Sequence, residues 1–246
     1  MKLEKENILT TLSQSILFKD IEKYKIEQLI ENSQKDFFKK GEIISEEELK
    51  NFIFIPLKGC VKSYQVNPNN GKAYTIFLFY KGDVFDIVTF IDQYKQSKHE
   101  VIFEVVKDVE FLKISHNILN KWIENEPQFN KNILFLLSHM LLSIEQNASD
   151  LALYDTFTRL SKLLVRHICH KSFSSDLKTK IKLKYINTLS HEEIADIIGT
   201  AREVVSRHIK VLKDKKILET NKKKYHILNL EALLEYCHIP SHTKKM

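Results

Sequence analysis

Between Thr200 and Lys210 the chain sets Arg202, Glu203, Ser206 and Arg207 within two turns of helical spacing. Residues three and four apart share a helix face, so Arg202, Glu203, Ser206, Arg207 and Lys210 lie together on one side. An arginine can donate two hydrogen bonds to guanine O6 and N7, and a glutamate can accept one from cytosine N4. Thr200, Ser206 and Lys210 suit phosphate oxygens, contacts that position a duplex without specifying its sequence. Arginine usage singles out the same stretch. Of 38 Lys and Arg residues only Arg159, Arg166, Arg202 and Arg207 are arginine, and two of these four fall here. Lysine cannot replace the planar guanidinium fork, so scarce arginines mark places where that geometry is required.

The surrounding sequence supplies elements to position these groups. Ser190 followed by Glu193 reads as a capping box opening a helix, with Ile194, Ala195, Ile197 and Ile198 apolar before Gly199. Thr200 is placed to cap a second helix, 200–215, in which Glu203 would double as a capping-box partner and Val204, Val205, Ile209 and Leu212 form the buried stripe. Helix, glycine turn and helix at this spacing make a helix-turn-helix. After it, Ile217–Thr220 and Tyr225–Leu228 flank Asn221, Lys222, Lys223 and Lys224, which reads as a hairpin wing whose basic tip meets phosphates.

Upstream, Asp155 is expected to cap a helix from Thr156 to about His170, which makes 153–156 a candidate hinge. Pro127 suits the first turn of a long helix. Its apolar residues Ile133, Leu137, Met140, Ile144 and Leu151, with Asn147 among them, recur by fours and threes, the seam of a two-stranded coiled coil and hence of a homodimer. Short strands separated by Gly41, Gly59, Gly71 and Gly82 fill 36–114, as in an antiparallel β-roll or jelly-roll. The fold class expected is α+β: a β-roll sensor domain over 1–126, a dimerisation helix over 127–154 and a winged helix-turn-helix over 155–246.

Charge divides along the same lines. Residues 1–155 carry 19 Lys and Arg against 23 Asp and Glu, net −4, whereas 156–246 carry 19 against 9, net +10. A basic segment joined to a mildly acidic one fits a polyanion partner, double-stranded DNA first. No apolar run reaches the roughly 18 residues of a membrane span and the start lacks a signal-peptide core, so a cytoplasmic protein without a membrane partner is expected. Cys60, Cys169 and Cys237 are too few and too scattered for a disulfide framework or a four-thiolate cluster. The N-terminal region lacks the clustered His and carboxylate spacing of jelly-roll metalloenzymes, which argues against an enzyme.

The ordered combination resembles the Crp/Fnr family of bacterial transcription regulators over about residues 15–236. The resemblance is carried by Phe38-Lys39-Lys40-Gly41-Glu42-Ile43-Ile44, Tyr80-Lys81-Gly82-Asp83-Val84-Phe85, Leu151-Ala152-Leu153-Tyr154-Asp155, and Leu189 to Ala195 continuing through Thr200 to Arg207. It implies a palindromic site with half-sites about one helical turn apart. Arg202, Glu203 and Arg207 would read bases, while Thr200, Ser206, Lys210 and Lys222 to Lys224 would touch phosphates. RNA polymerase is the further partner implied.

The sensor half departs from the cyclic-AMP-binding branch. There a Gly-Glu pair and an Arg-Ser pair hold ribose and phosphate; here Asp86-Ile87 and the neighbourhood of Ser97-Lys98 stand instead, and residues 1–155 contain no arginine. The adenine-facing Thr-Ser pair falls at Ile144-Glu145. Cyclic AMP bound in the usual manner is therefore not expected, and three cysteines exclude the family's iron–sulfur mechanism. His99, His116 and His139 leave haem open, as in a gas sensor of the same family. An apolar effector lined by Phe85, Ile87, Lys98, Met140 and Ile144, or no effector, is the other expectation. A signalling module whose winged helix contacts protein is the alternative of another class.

Overall fold

The computed structural model describes residues 2–92, 101–168, 181–183, 186–221 and 224–237. The chain divides into two compact units, residues 1–65 with 75–144, and residues 66–74 with 145–246. In the first unit, helices α1 (Lys2–Gln14) and α2 (Lys23–Glu31) precede strand β1 (Gln34–Phe38), helix α3 (Glu46–Asn51) and strands β2 (Phe52–Val66) and β3 (Ala73–Phe79). Helix α4 (Ile87–Ile91), strand β4 (Ile102–Ser115), helix α5 (His116–Asn125) and the long helix α6 (Pro127–Leu153) follow. The strands form one sheet in the order β1-β4-β2-β3, with β4 antiparallel to both β1 and β2. The strands are longer than the short segments expected, and α1, α2, α3 and α5 were not anticipated.

The apolar run Phe52-Ile53-Phe54-Ile55 is explained by a sheet covered on both faces. Alternate side chains of a strand point to opposite sides. Ile53 and Ile55, with Leu112 and Ile114 of β4, join one core beneath Leu12, Phe18, Leu29 and Phe129. Phe54 and Phe111 point the other way, into a cluster with Phe79, Phe85 and Phe103. Ring centroids of Phe54, Phe103 and Phe111 lie 5.1–5.5 Å from that of Phe85, in stacked and edge-on pairs. Where β2 slips register against β4, between Pro56 and Val61, Gly59 takes φ +93°, and a Cβ there would stand 2.3 Å from the Asp108 carbonyl oxygen. Only glycine allows that approach.

On helix α6 the expected seam positions are divided between core and surface. Ile133 is only 6% exposed and packs in the first unit's own core, with Leu137 and Met140 lying against it. Asn147 accepts a hydrogen bond from Arg166 Nη1 at 3.0 Å within the chain. Leu134, Leu141, Ile144, Ala148 and Leu151 are exposed and, with half-buried Leu137 between them, also space by threes and fours. Ile133, Met140 and Asn147 each stand one residue before a member of this series, whereas Leu137, Ile144 and Leu151 belong to both series. Both phases satisfy the sequence spacing, and the core claims one of them.

The second unit contains the last turns of α6, then α7 (Thr156–Arg166), β5 (Ile181–Lys182), α8 (His191–Ile198), α9 (Arg202–Asp214), β6 (Leu218–Asn221), β7 (Lys224–Ile227) and α10 (Leu230–Glu235). Its antiparallel sheet runs β5-β7-β6. Asp155 caps α7, its Oδ1 accepting from the Thr158 N–H at 2.8 Å, as expected. That helix ends at Arg166, four residues short of the expected His170, which lies outside the described residues. The joint at Asp155 is braced: Asp150 on α6 pairs with Lys162 at 2.8 Å and with Arg166 on α7. Burial raises the Asp150 pKa, but Lys162 and Arg166 hold it below the ordinary carboxylate value.

Candidate nucleic-acid interface

Ser190 caps α8 through the capping box expected: its hydroxyl accepts from the Glu193 N–H at 3.1 Å while the Glu193 carboxylate accepts from the Ser190 N–H at 2.5 Å. The helix stops at Gly199 in the left-handed conformation, φ +66°. The left-handed backbone favours glycine here; a Cβ would come within 2.9 Å of Leu151 Cδ2, the movable end of a side chain. The Thr200 N–H then donates to the Ala195 carbonyl at 2.9 Å, closing the corner.

That closure moves the start of the second helix. The N-cap of α9 is Ala201, without a side-chain cap, rather than Thr200. Thr200 is occupied in the turn that Gly199 forms, so the first helical residue becomes Arg202. Glu203 therefore sits at the second helical position, one residue short of a capping-box partner, and the capping role expected of it does not apply. Val205, Ile209 and Leu212 are buried as expected, whereas Val204 is only half-buried.

Arg202, Glu203, Arg207 and Lys210 are exposed on α9, and Ser206 is half-buried beside them. Among the described residues none of the four exposed groups makes an ion pair. Behind them the helix is fixed: His208 Nε2 lies 2.8 Å from Thr156 Oγ1, and its ring meets Phe157 edge-on at 5.1 Å. Burial and then Arg207 hold His208 below its ordinary pKa. Strands β6 and β7 pair from Leu218↔Ile227 to Asn221↔Lys224, which makes the wing hairpin. Lys224 is exposed at its end, while Lys222 and Lys223 lie outside the described residues. Two residues that sequence reasoning missed, His191 and Tyr225, link this wing to α9; a capping-box sequence shows where His191 is but nothing of its partner across the hairpin.

The first unit does not gather the expected effector residues. Phe85 and Ile87 are wholly buried, but in separate core clusters on the two sides of the sheet. Four phenylalanine rings, of Phe54, Phe79, Phe103 and Phe111, pack around Phe85. Met140 packs on the core, Ile144 is 46% exposed, and Lys98 lies outside the described residues. Asp86 is 5% exposed at φ +62°; its Oδ1 accepts from Thr89 Oγ1 at 2.6 Å, and burial pushes its carboxyl up to about 6. His116 packs against Phe90, His139 is exposed, and His99 lies outside the described residues. Among the described residues no group of three His, Cys, Asp or Glu side chains is placed to hold a metal ion. None of their helices is long and apolar enough to cross a membrane.

Residues 158–236 match the family described as the Crp-like helix-turn-helix domain. That segment carries a Crp-like helix-turn-helix domain. It is 26% identical over 183 residues to the global nitrogen regulator of Synechococcus elongatus, covering 74% of this chain and 79% of that one. It is 22% identical over 197 residues to the CRP-like cAMP-activated global transcriptional regulator of Mycobacterium tuberculosis, covering 80% and 84%. FixK2 from Bradyrhizobium japonicum shares the fold at a TM-score of 0.68 and 19% identity, over 83% of this chain and 96% of that one. In the Crp-like domain, α8 and α9 are the helix pair and β6-β7 the wing.

Proposed function

We propose that the chain is a homodimeric, sequence-specific DNA-binding regulator. Its working parts would be a sensor domain over 1–126, a dimerisation helix over 127–154 and a DNA-binding domain over 155–246. The observation that carries this reading is the exposed set Arg202, Glu203, Arg207 and Lys210, without an ion pair among the described residues, on a helix otherwise fixed from behind. In a major groove Arg202, Glu203 and Arg207 read base edges, while Thr200, Ser206, Lys210 and Lys222 to Lys224 position the domain on phosphates. A second copy joined along Leu134, Leu141, Ile144 and Leu151 presents two such helices to a palindromic site, with half-sites about one turn apart. RNA polymerase is the further partner of such a regulator.

The effector is one other than cyclic AMP, or there is none. A buried carboxylate at Asp86 opposes a nucleotide phosphate, and the phenylalanine cluster fills the sheet's inner face. Any effector acts only through different affinities for two arrangements of the dimer. The reading is tested with Arg207→Ala. Loss of one bidentate base contact is expected to weaken a duplex selected from a random pool by about 1–3 kcal/mol and a scrambled duplex by much less. Equal losses on both would contradict the base-reading role.

A further inference from the structure

A single imidazole joins three elements of the Crp-like domain. His191 is the first residue of α8; its Nδ1 lies 2.8 Å from Ser206 Oγ on α9 and its Nε2 3.0 Å from the Tyr225 hydroxyl on β7. Tyr225 is 6% exposed, and its backbone N–H donates to Asn187 Oδ1 at 2.6 Å. Asn187 is fixed in turn by donating from Nδ2 to the Leu183 carbonyl at 2.8 Å. The wing strand, whose next residue outward is Lys224, is thus tied through one ring to the α9 hydroxyl that lies beside Arg202, Arg207 and Lys210.

Hydrogen accounting gives this contact a direction. Neutral imidazole has one N–H donor and one acceptor. With the hydrogen on Nδ1, Ser206 accepts from the ring and its own O–H is free to donate outward; Tyr225 donates to Nε2. With the hydrogen on Nε2, Ser206 must donate to Nδ1 and presents only lone pairs, which repel an anionic oxygen. An imidazolium donates from both nitrogens and frees both hydroxyl hydrogens.

We propose that His191 is a positioning residue for a DNA phosphate, turning the Ser206 hydroxyl hydrogen outward and holding the wing, through Tyr225, in register with the recognition helix. This rests on the DNA-binding reading above. The charged and titratable groups facing the ring are Arg202 and Lys213 from α9 and Tyr225 from β7, with Glu192 and Glu193 beside it on α8; the Glu193 carboxylate is taken up by the Ser190 N–H. Burial, then Lys213 and Arg202, hold His191 below its ordinary value of 6.5. A phosphate arriving at Ser206 brings the opposite charge and favours the imidazolium. Binding therefore takes up protons, and affinity rises as pH falls through the range below 6.5.

The test titrates the full chain with a duplex selected by the wild type from a random pool and with a scrambled duplex, across pH. His191→Ala and Ser206→Ala are each expected to weaken both duplexes about tenfold, and the double variant no further, because the two side chains act as one contact. His191→Gln keeps one donor and one acceptor without titrating, so it retains affinity at neutral pH and loses the acid-side gain. Additive losses in the double variant, or an acid-side gain unchanged in His191→Gln, overturn the proposal. If His191→Ala does not fold, the pH profile of His191→Gln decides alone. A wild type that binds no duplex overturns the DNA-binding reading as well, whereas normal binding with an unchanged His191→Gln profile overturns only the positioning role.

Discussion

Asp86 combines two costs at one position. A non-glycine residue at φ +62° is strained, and a carboxylate that is 95% buried with one oxygen satisfied by Thr89 prefers to be neutral. Its pKa in the folded chain, about 6, lies above the ordinary 3.8. The protonated form is therefore the one folding favours, so this stabilisation is complete below 3.8 and is lost as pH rises through about 6. Asp86→Asn removes the titration while keeping an acceptor for Thr89 and a residue tolerant of left-handed backbone. The wild type is expected to gain about 1–3 kcal/mol relative to Asp86→Asn as pH falls across that window, read by denaturant unfolding at each pH. A constant difference would remove Asp86 as the cause. The caps at Asp155 and Ser190 were legible because a cap needs only its own residue and a donor two or three places on. Thr200 had the right side chain but was displaced from the cap by the geometry of Gly199, which spacing does not reveal.

Helix α6 is the element on which the proposed dimer rests. Its apolar residues were legible, but Ile133 and Leu134 both open acceptable heptad series, and sequence spacing does not tell which of them the chain's own core buries. The side-chain set Leu134, Leu141, Ile144 and Leu151 is 37–68% exposed, so a charge placed there costs the single chain little. Leu141→Glu is accordingly expected to leave the melting temperature of the isolated chain near that of wild type while shifting the sedimentation profile from dimer to monomer. Affinity for a palindromic duplex should fall at least tenfold, since linked half-sites bind with a high effective concentration. A dimer that survives Leu141→Glu would move the interface elsewhere. The N-terminal helices went unread for a related reason. Ile8, Leu9 and Leu12 on α1 and Ile26 and Leu29 on α2 have helical spacing, but each run is short and bordered by charges.

At the scale of the whole molecule, the order of parts was legible and their grouping was not. Sequence order separates a sheet-rich region, a long helix and a basic winged domain, but residues 66–74 group with 145–246 rather than with the strands on either side. Contacts distant in sequence carry no local signal. The charge division, net −4 over 1–155 and +10 over 156–246, belongs to this scale too, since it sets salt dependence rather than fold. It also supplies the most direct test of the central claim, that this is a sequence-reading DNA-binding protein: the affinity of the wild-type chain for a selected palindromic duplex and for its scrambled counterpart, each measured over a series of salt concentrations. Both affinities should fall steeply and in parallel with log salt, with the selected duplex bound on the order of a thousandfold or more tightly throughout. Equal affinities for the two duplexes, or binding indifferent to salt, would contradict it.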